Sequence, residues 1–105
     1  MRVISGKAKG RTLYMVPGEG TRPITDRAKT ALFDILDPYI IGSRFLDLFA
    51  GTGQVGIEAL SRGAEEAVFV EWSETAIGTI EWNLEQTELT DGARLVPTNV
   101  FEYVR

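Results

Sequence analysis

Hydrophobic residues in the second part of the chain occur in short runs that alternate with segments of helical spacing. The runs at 45–49, 67–71 and 93–96 are brief and mostly apolar, as expected for strands of a sheet covered on both faces. Between them, residues 54–62 and 74–88 place apolar side chains three or four positions apart, which is typical of helices. This alternation predicts an α/β fold with a parallel sheet and right-handed crossovers.

The beginning of the chain has a different pattern. Residues 2–5 and 11–16 are short and contain apolar residues, which predicts the two strands of a hairpin. Gly6 and Gly10 bracket residues 7–9, so we expect the hairpin turn there.

One helix is predicted between the hairpin and the first strand of the sheet. After a loop rich in glycine and proline, Thr25 offers a side-chain oxygen that can cap this helix. The Asp37-Pro38 pair predicts its end, because the residue before a proline is pushed out of the helical region.

Composition excludes several classes of site. The 105 residues contain no Cys and no His, so a disulfide scaffold, a thiol nucleophile and a Ser-His-Asp site are all ruled out. We predict no metal site. The sequence shows no signal-peptide pattern and no apolar stretch long enough to span a membrane, so we expect a cytoplasmic protein.

Charge is distributed unevenly around the net value of −4. Residues 1–29 carry a net charge of +5, whereas residues 30–105 carry −9. Such asymmetry is typical of a polyanion-facing edge on an acidic body, although a basic stretch that only keeps a hairpin soluble fits it equally well. We therefore expect a basic hairpin and loop at 1–24, followed by an α/β part at 25–105.

A glycine pattern follows the first predicted strand of the sheet. Residues 51–56 fit G-x-G-x-x-G between a strand and a helix, and Glu71 lies 20 residues after Gly51 at the end of the next strand. In this context the glycines let the backbone approach a nucleotide-type ligand, Gly56 packs close to the sheet, and Glu71 can accept hydrogen bonds from ribose hydroxyls. The alternative is a purely structural tight turn.

The G-x-G-x-x-G spacing fits NAD as well as other nucleotide-type ligands. The charge beside the loop discriminates between these ligands. Asp47 lies four residues before Gly51, at the end of the first strand. A carboxylate there would repel the pyrophosphate of NAD but suits a cation. S-adenosyl-L-methionine carries an ammonium and a sulfonium together with a ribose, so the two carboxylates favour it over a dinucleotide. A loop-capping role is the alternative for Asp47.

Two segments around the loop, 47–53 and 56–64, resemble the first motif of class I methyltransferases. More narrowly, they resemble the bacterial 16S ribosomal RNA guanine-N2 methyltransferases of the RsmD type. Residues 21–27 are similar to that family's motif ahead of the first strand, and residues 2–6 to its N-terminal hairpin. The similarity runs to about residue 104, and it implies a Rossmann-like class I methyltransferase sheet.

The resemblance also implies roles for individual residues. The residues expected to bind S-adenosyl-L-methionine are Asp47, Phe49, Ala50, Gly51, Thr52, Gly53, Gly56, Glu71, Trp72, Asn99 and Val100. Those expected at the mouth between cofactor and RNA are Arg22, Thr25 and Arg27, and those expected on RNA phosphates are Arg2, Lys7, Lys9 and Arg11. For Trp72 a core aromatic is an equal alternative, and for Asn99 a plain turn residue is.

The family's catalytic segment, an Asp or Asn followed by Pro-Pro and an aromatic residue, has no counterpart in this chain. The four prolines include no Pro-Pro pair, and we interpret Asp37-Pro38-Tyr39 as a helix end. We expect an incomplete sheet, no catalytic residue, and the N-terminal, cofactor-binding part of a longer enzyme that acts on ribosomal RNA or a small-subunit assembly intermediate.

The first strand would leave a bare apolar edge through which the chain could dimerise. A non-catalytic RNA-binding module and an NAD-binding fragment remain alternatives.

Overall fold

The computed structural model describes residues 1–16, 24–48 and 50–105, so the predictions for Arg22 and Phe49 lie outside the described residues. The sheet has three parallel strands in the order β1-β2-β3. They are β1 (Arg44–Asp47), β2 (Glu66–Val70) and β3 (Ala93–Val96). This parallel, open α/β sheet confirms the predicted fold.

The described residues form four α-helices, two of which connect consecutive strands. They are α1 (Asp26–Ile40), α2 (Gln54–Ser61), α3 (Glu74–Thr87) and α4 (Val100–Tyr103), with a 3₁₀ turn at Thr90–Gly92. Thr25 caps α1 as predicted, since its hydroxyl oxygen accepts a hydrogen bond from the backbone N–H of Ala28 at 3.1 Å. None of the helices in the described parts of the chain is both long and apolar enough to cross a membrane.

The prediction that Asp37-Pro38 ends α1 is wrong. The helix continues through Pro38 to Ile40, and Gly42 follows with a φ of +76°. The proline removes only one hydrogen bond near the end of the helix. Burial of Ile40, which is 3% exposed, and an ion pair from Asp37 to Arg62 on α2 at 3.2 Å hold the last turn in place.

Residues 1–16, which we call the N-terminal arm, contain a hairpin without regular strands. The predicted strands at 2–5 and 11–16 are reduced to a single antiparallel bridge between Arg2 and Thr12. The expected turn is present, because the N–H of Gly10 donates to the carbonyl of Val3 at 2.9 Å. Five backbone hydrogen bonds lie within the arm, and several of its other backbone groups bond to the helices beneath it.

Side chains of α2 anchor the first half of the arm. The backbone N–H groups of Ile4 and Ser5 donate to the two carboxylate oxygens of Glu58 at 2.9 and 3.0 Å. One turn further along α2, the N–H of Ala8 donates to the hydroxyl of Ser61 at 2.9 Å, and that hydroxyl donates to the carbonyl of Ser5 at 2.7 Å. The arm is therefore built onto the outer side of α2.

Glu58 also belongs to a buried ion-pair cluster of Lys29, Glu58 and Arg62. The Lys29 ammonium lies 3.3 Å from Glu58 and donates to the carbonyl of Arg2 at 2.7 Å, and both charged side chains are 0% exposed. Arg62 bonds Glu58 at 2.9 Å. Burial alone would lower the pKa of Arg62, but the hydrogen bonds and charges of Glu58 and Asp37 outweigh it and raise that pKa above its ordinary value. The cluster joins α1, α2 and the arm.

Candidate cofactor-binding site

A cleft of about 880 Å³ lies where the parallel strands end. Six of its lining residues are Gly51, Glu71, Trp72, Asn99, Val100 and Phe101. In open α/β sheets the carboxyl ends of the strands are where ligands bind. We call this feature the strand-end cleft, and five of these six residues were predicted from the sequence to bind the cofactor.

Two glycines of the loop have left-handed backbones, and the third packs close to the sheet as predicted. Gly51 and Gly53 have φ values of +53° and +81°, in the left-handed region that favours glycine. A Cβ on Gly56 would lie 2.3 Å from the ring of Phe69 on β2, so α2 can approach the sheet only because residue 56 is glycine. The first turn of α2 is thereby held directly behind the loop.

Glu71 is fixed beside the loop by backbone N–H groups. Its Oε1 accepts from the N–H of Gly51 at 2.9 Å, and its Oε2 accepts from those of Trp72 and Ser73 at 3.2 and 3.1 Å. Because each carboxylate oxygen has two lone pairs, Oε1 can still accept a hydroxyl from a ligand. The arrangement puts a negative charge against the first glycine of the loop.

The other described residues that were predicted for the loop are not among those that line the cleft. Asp47 is the partly buried last residue of β1, and Ala50 is buried, with its N–H bonded to the carbonyl of Val70 at 3.3 Å. The carbonyl of Thr52 accepts from the side-chain amide of Asn83 on α3 at 2.9 Å. Asn83 is 0% exposed, and it was not among the residues predicted for the site from the sequence.

Two aromatic side chains that line the cleft are exposed. Trp72 is 73% exposed, which excludes the core-aromatic alternative. Phe101 is 76% exposed and lines the same cleft, although the sequence analysis did not select it. The sequence feature that could have identified Phe101 as a cleft residue is its position two residues after Asn99, beyond the third strand. Asn99 caps α4, since its Oδ1 accepts from the N–H of Glu102 at 2.8 Å.

Two of the predicted mouth residues, Thr25 and Arg27, are among the described residues, and neither lines the cleft. Thr25 uses its oxygen as the cap of α1, and Arg27 is exposed on the first turn of that helix. The side-chain amide of Gln54 donates to the carbonyl of Ile24 at 3.3 Å, which brings the start of α1 next to the glycine loop.

The four residues predicted to hold RNA phosphates are not equivalent. Arg2 and Arg11 are exposed but form ion pairs, both at 3.4 Å, with Asp26 and Glu88 respectively. Lys7 and Lys9 are exposed at the tip of the arm, beside the C-terminal end of α2. Because α2 starts at the glycine loop, its length separates this tip from the cleft by about 12 Å.

Comparisons with known proteins agree with this geometry. A protein-family profile described as conserved hypothetical protein 95 matches residues 1–104. YlbH, a candidate rRNA methyltransferase of Bacillus subtilis (strain 168), is 53% identical over 95 residues, which are 90% of this chain and 52% of YlbH. Ribosomal RNA small subunit methyltransferase D of Escherichia coli (strain K12) is 38% identical over 104 residues, 99% of this chain and 52% of that protein.

A solved structure shows the same architecture. The candidate methyltransferase yhhF from Escherichia coli superposes with a TM-score of 0.87 at 36% identity, covering 99% of this chain and 55% of that one. The chain thus spans about half the length of the relatives that it matches. Its sheet is that of the class I methyltransferases, and the chain belongs to the conserved hypothetical protein 95 family, the RsmD-type family of ribosomal RNA small-subunit methyltransferases.

Proposed function

We propose that this chain is the S-adenosyl-L-methionine-binding part of a cytoplasmic enzyme that methylates the exocyclic N2 of a guanine in small-subunit ribosomal RNA. Residues 25–105 would hold the cofactor, and the basic part at 1–24 would contact RNA. The relatives named as rRNA methyltransferases support the reaction class. The bound cofactor would supply a methyl group on a positively charged sulfur.

The observation that carries the choice of ligand is the hydrogen bond from Gly51 to Glu71. In a dinucleotide site the N–H groups of such a loop face an anionic pyrophosphate. Here the first glycine N–H is bonded to a carboxylate at 2.9 Å, and Asp47 adds a second acidic side chain at the end of β1. This arrangement favours a ligand with cationic groups and ribose hydroxyls over one with phosphates.

The residues that line the strand-end cleft suit the remaining parts of S-adenosyl-L-methionine. Glu71 would accept ribose hydroxyls, and the exposed rings of Trp72 and Phe101 would supply apolar surface to the adenine. Asn99 and Val100 also line the cleft. Asp47 and the residues of the glycine loop would hold the methionine end.

Titration of the chain with S-adenosyl-L-methionine and with NAD tests the ligand. We expect the first to bind and to raise the melting temperature, and NAD to do neither. Glu71→Gln should weaken binding about tenfold or more, whereas Glu81→Gln, which removes the same charge from the exposed face of α3, should leave it unchanged. A response to NAD alone would refute the proposal.

The RNA part of the proposal has its own test. Deletion of the gene that encodes this chain should remove one N2-methylguanosine from small-subunit ribosomal RNA, measured by nucleoside mass spectrometry. The isolated chain should bind the cofactor without transferring its methyl group. If the chain bound RNA in a salt-dependent way but did not respond to the cofactor, the RNA-binding module would be the better assignment.

The edge of β1 supports a proposal about self-association. Within the described residues β1 pairs only with β2, and Leu46 is 47% exposed. Unpaired backbone groups and apolar side chains on a strand edge favour edge-to-edge pairing. We expect the isolated chain to dimerise at high concentration, and sedimentation as an ideal monomer would contradict this.

A further inference from the structure

The side chain of Asn83 connects the N-terminal arm with the glycine loop. Asn83 is 0% exposed in α3. Its Oδ1 accepts from the backbone N–H of Tyr14 at 2.8 Å, and its Nδ2 donates to the carbonyls of Tyr14 and Thr52 at 3.0 and 2.9 Å. Both amide hydrogens are thereby used, one on the arm and one on the loop.

Both contacts of Asn83 lead directly to the strand-end cleft. Val16, two residues after Tyr14, lines that cleft. Thr52 lies between Gly51, which lines that cleft, and Gly53 of the glycine loop. The end of the arm and the glycine loop are therefore two walls of one cleft, held by one amide.

We propose that Asn83 is a positioning residue that couples docking of residues 14–16 to the affinity of the cleft for S-adenosyl-L-methionine. This inference rests on the proposed function. With the end of the arm docked, Asn83 fixes the Thr52 carbonyl, and the loop is preorganised for the ligand. By reciprocity, the bound ligand must stabilise the docked arm by the same factor.

The rest of the arm is anchored independently of Asn83. Residues 4, 5 and 8 are held by Glu58 and Ser61 on α2. Loss of the Asn83 amide should therefore release only the end of the arm, while its beginning stays in place. Coupling between two sites usually amounts to about 5- to 150-fold in affinity, and for these three hydrogen bonds we expect about tenfold.

The first experiment compares two variants on the same helix. Asn83→Ala should weaken binding of S-adenosyl-L-methionine about tenfold in calorimetric titration. Thr87→Val is the matched control, because the Thr87 hydroxyl is also buried but bonds only backbone carbonyls of α3. The control should keep the wild-type affinity even where its lost hydrogen bonds lower the melting temperature. Equal affinities of the two variants would overturn the inference.

The second experiment needs no variant and decides the matter even if Asn83→Ala does not fold. In hydrogen exchange of the wild-type chain, saturating S-adenosyl-L-methionine should slow the amides of residues 14–16 about tenfold more than those of residues 4–8. Binding without this selective slowing would refute the coupling and leave the proposed function intact. Failure of the wild-type chain to bind would refute the proposed function and, with it, the inference.

Discussion

Removal of one member of the buried ion-pair cluster should be the most damaging type of single substitution in this protein. Glu58 is surrounded by four donors, namely the N–H groups of Ile4 and Ser5, the Arg62 guanidinium and the Lys29 ammonium. Glu58→Gln keeps the size of the side chain but removes its charge. Lys29→Met keeps the length of the stem and removes the opposite charge.

The two substitutions should differ in magnitude. Breaking a buried ion pair costs about 3–5 kcal/mol, because the remaining charge is left uncompensated. In Lys29→Met the Glu58 carboxylate still has Arg62 at 2.9 Å, so we expect a loss near the lower limit of that range. In Glu58→Gln the wholly buried Lys29 loses the carboxylate that lies 3.3 Å from it, so we expect a loss near the upper limit.

Urea unfolding followed by circular dichroism measures both losses. Arg44→Met is the matched control, because its ion pair with Glu66 lies on the surface and should contribute no more than about 1 kcal/mol. The double variant of Lys29 and Glu58 should lose less than the two single losses added together. If Lys29→Met and Glu58→Gln lowered the free energy of unfolding no more than Arg44→Met does, the reasoning from burial would be refuted.

Two further predictions concern α2, the helix that follows the glycine loop, and the tip of the arm. Gly56→Ala should destabilise the chain by about 1–2 kcal/mol in urea unfolding, because overlap with the Phe69 ring exceeds the gain in helix propensity. Gly78→Ala, where nothing lies within 4 Å of the new Cβ, should stabilise it by up to about 1 kcal/mol, and the reverse order would contradict the packing argument. Lys7→Gln with Lys9→Gln should reduce the slope of log affinity for RNA against log salt by about 2, and an unchanged slope would exclude the tip from the interface.

The sheet could be predicted from the sequence because its signals are local. The strand β3 occurs at the predicted residues, and β1 and β2 each begin one residue before the predicted runs. The close packing of Gly56 against the sheet was equally predictable, since it follows from the glycine pattern between a strand and a helix. These features need no knowledge of distant parts of the chain.

The errors occur where distant residues decide the local structure. α1 continues through Pro38 because Ile40 is buried and Asp37 pairs with Arg62, neither of which is visible in the residues around the proline. The predicted strands of the arm are absent because several of its backbone groups bond to side chains of α2 and α3. A propensity-based prediction assigns such groups to each other and so overestimates regular strands.

Contacts with distant residues also change how the positive charge of the N-terminal region should be interpreted. Lys29 contributes to the +5 of residues 1–29 but is 0% exposed, and Arg2 and Arg11 face carboxylates. The cationic side chains that the structure leaves exposed at the tip of the arm are Lys7 and Lys9. One feature of the sequence pointed to the buried pairing of Lys29, namely the position of Glu58 between the apolar Ile57 and Ala59. A carboxylate in an apolar stretch of helix indicates that a buried cation pairs with it. That cation comes from the basic region itself, so part of the positive charge that would attract RNA instead attaches the arm to the helix behind the glycine loop.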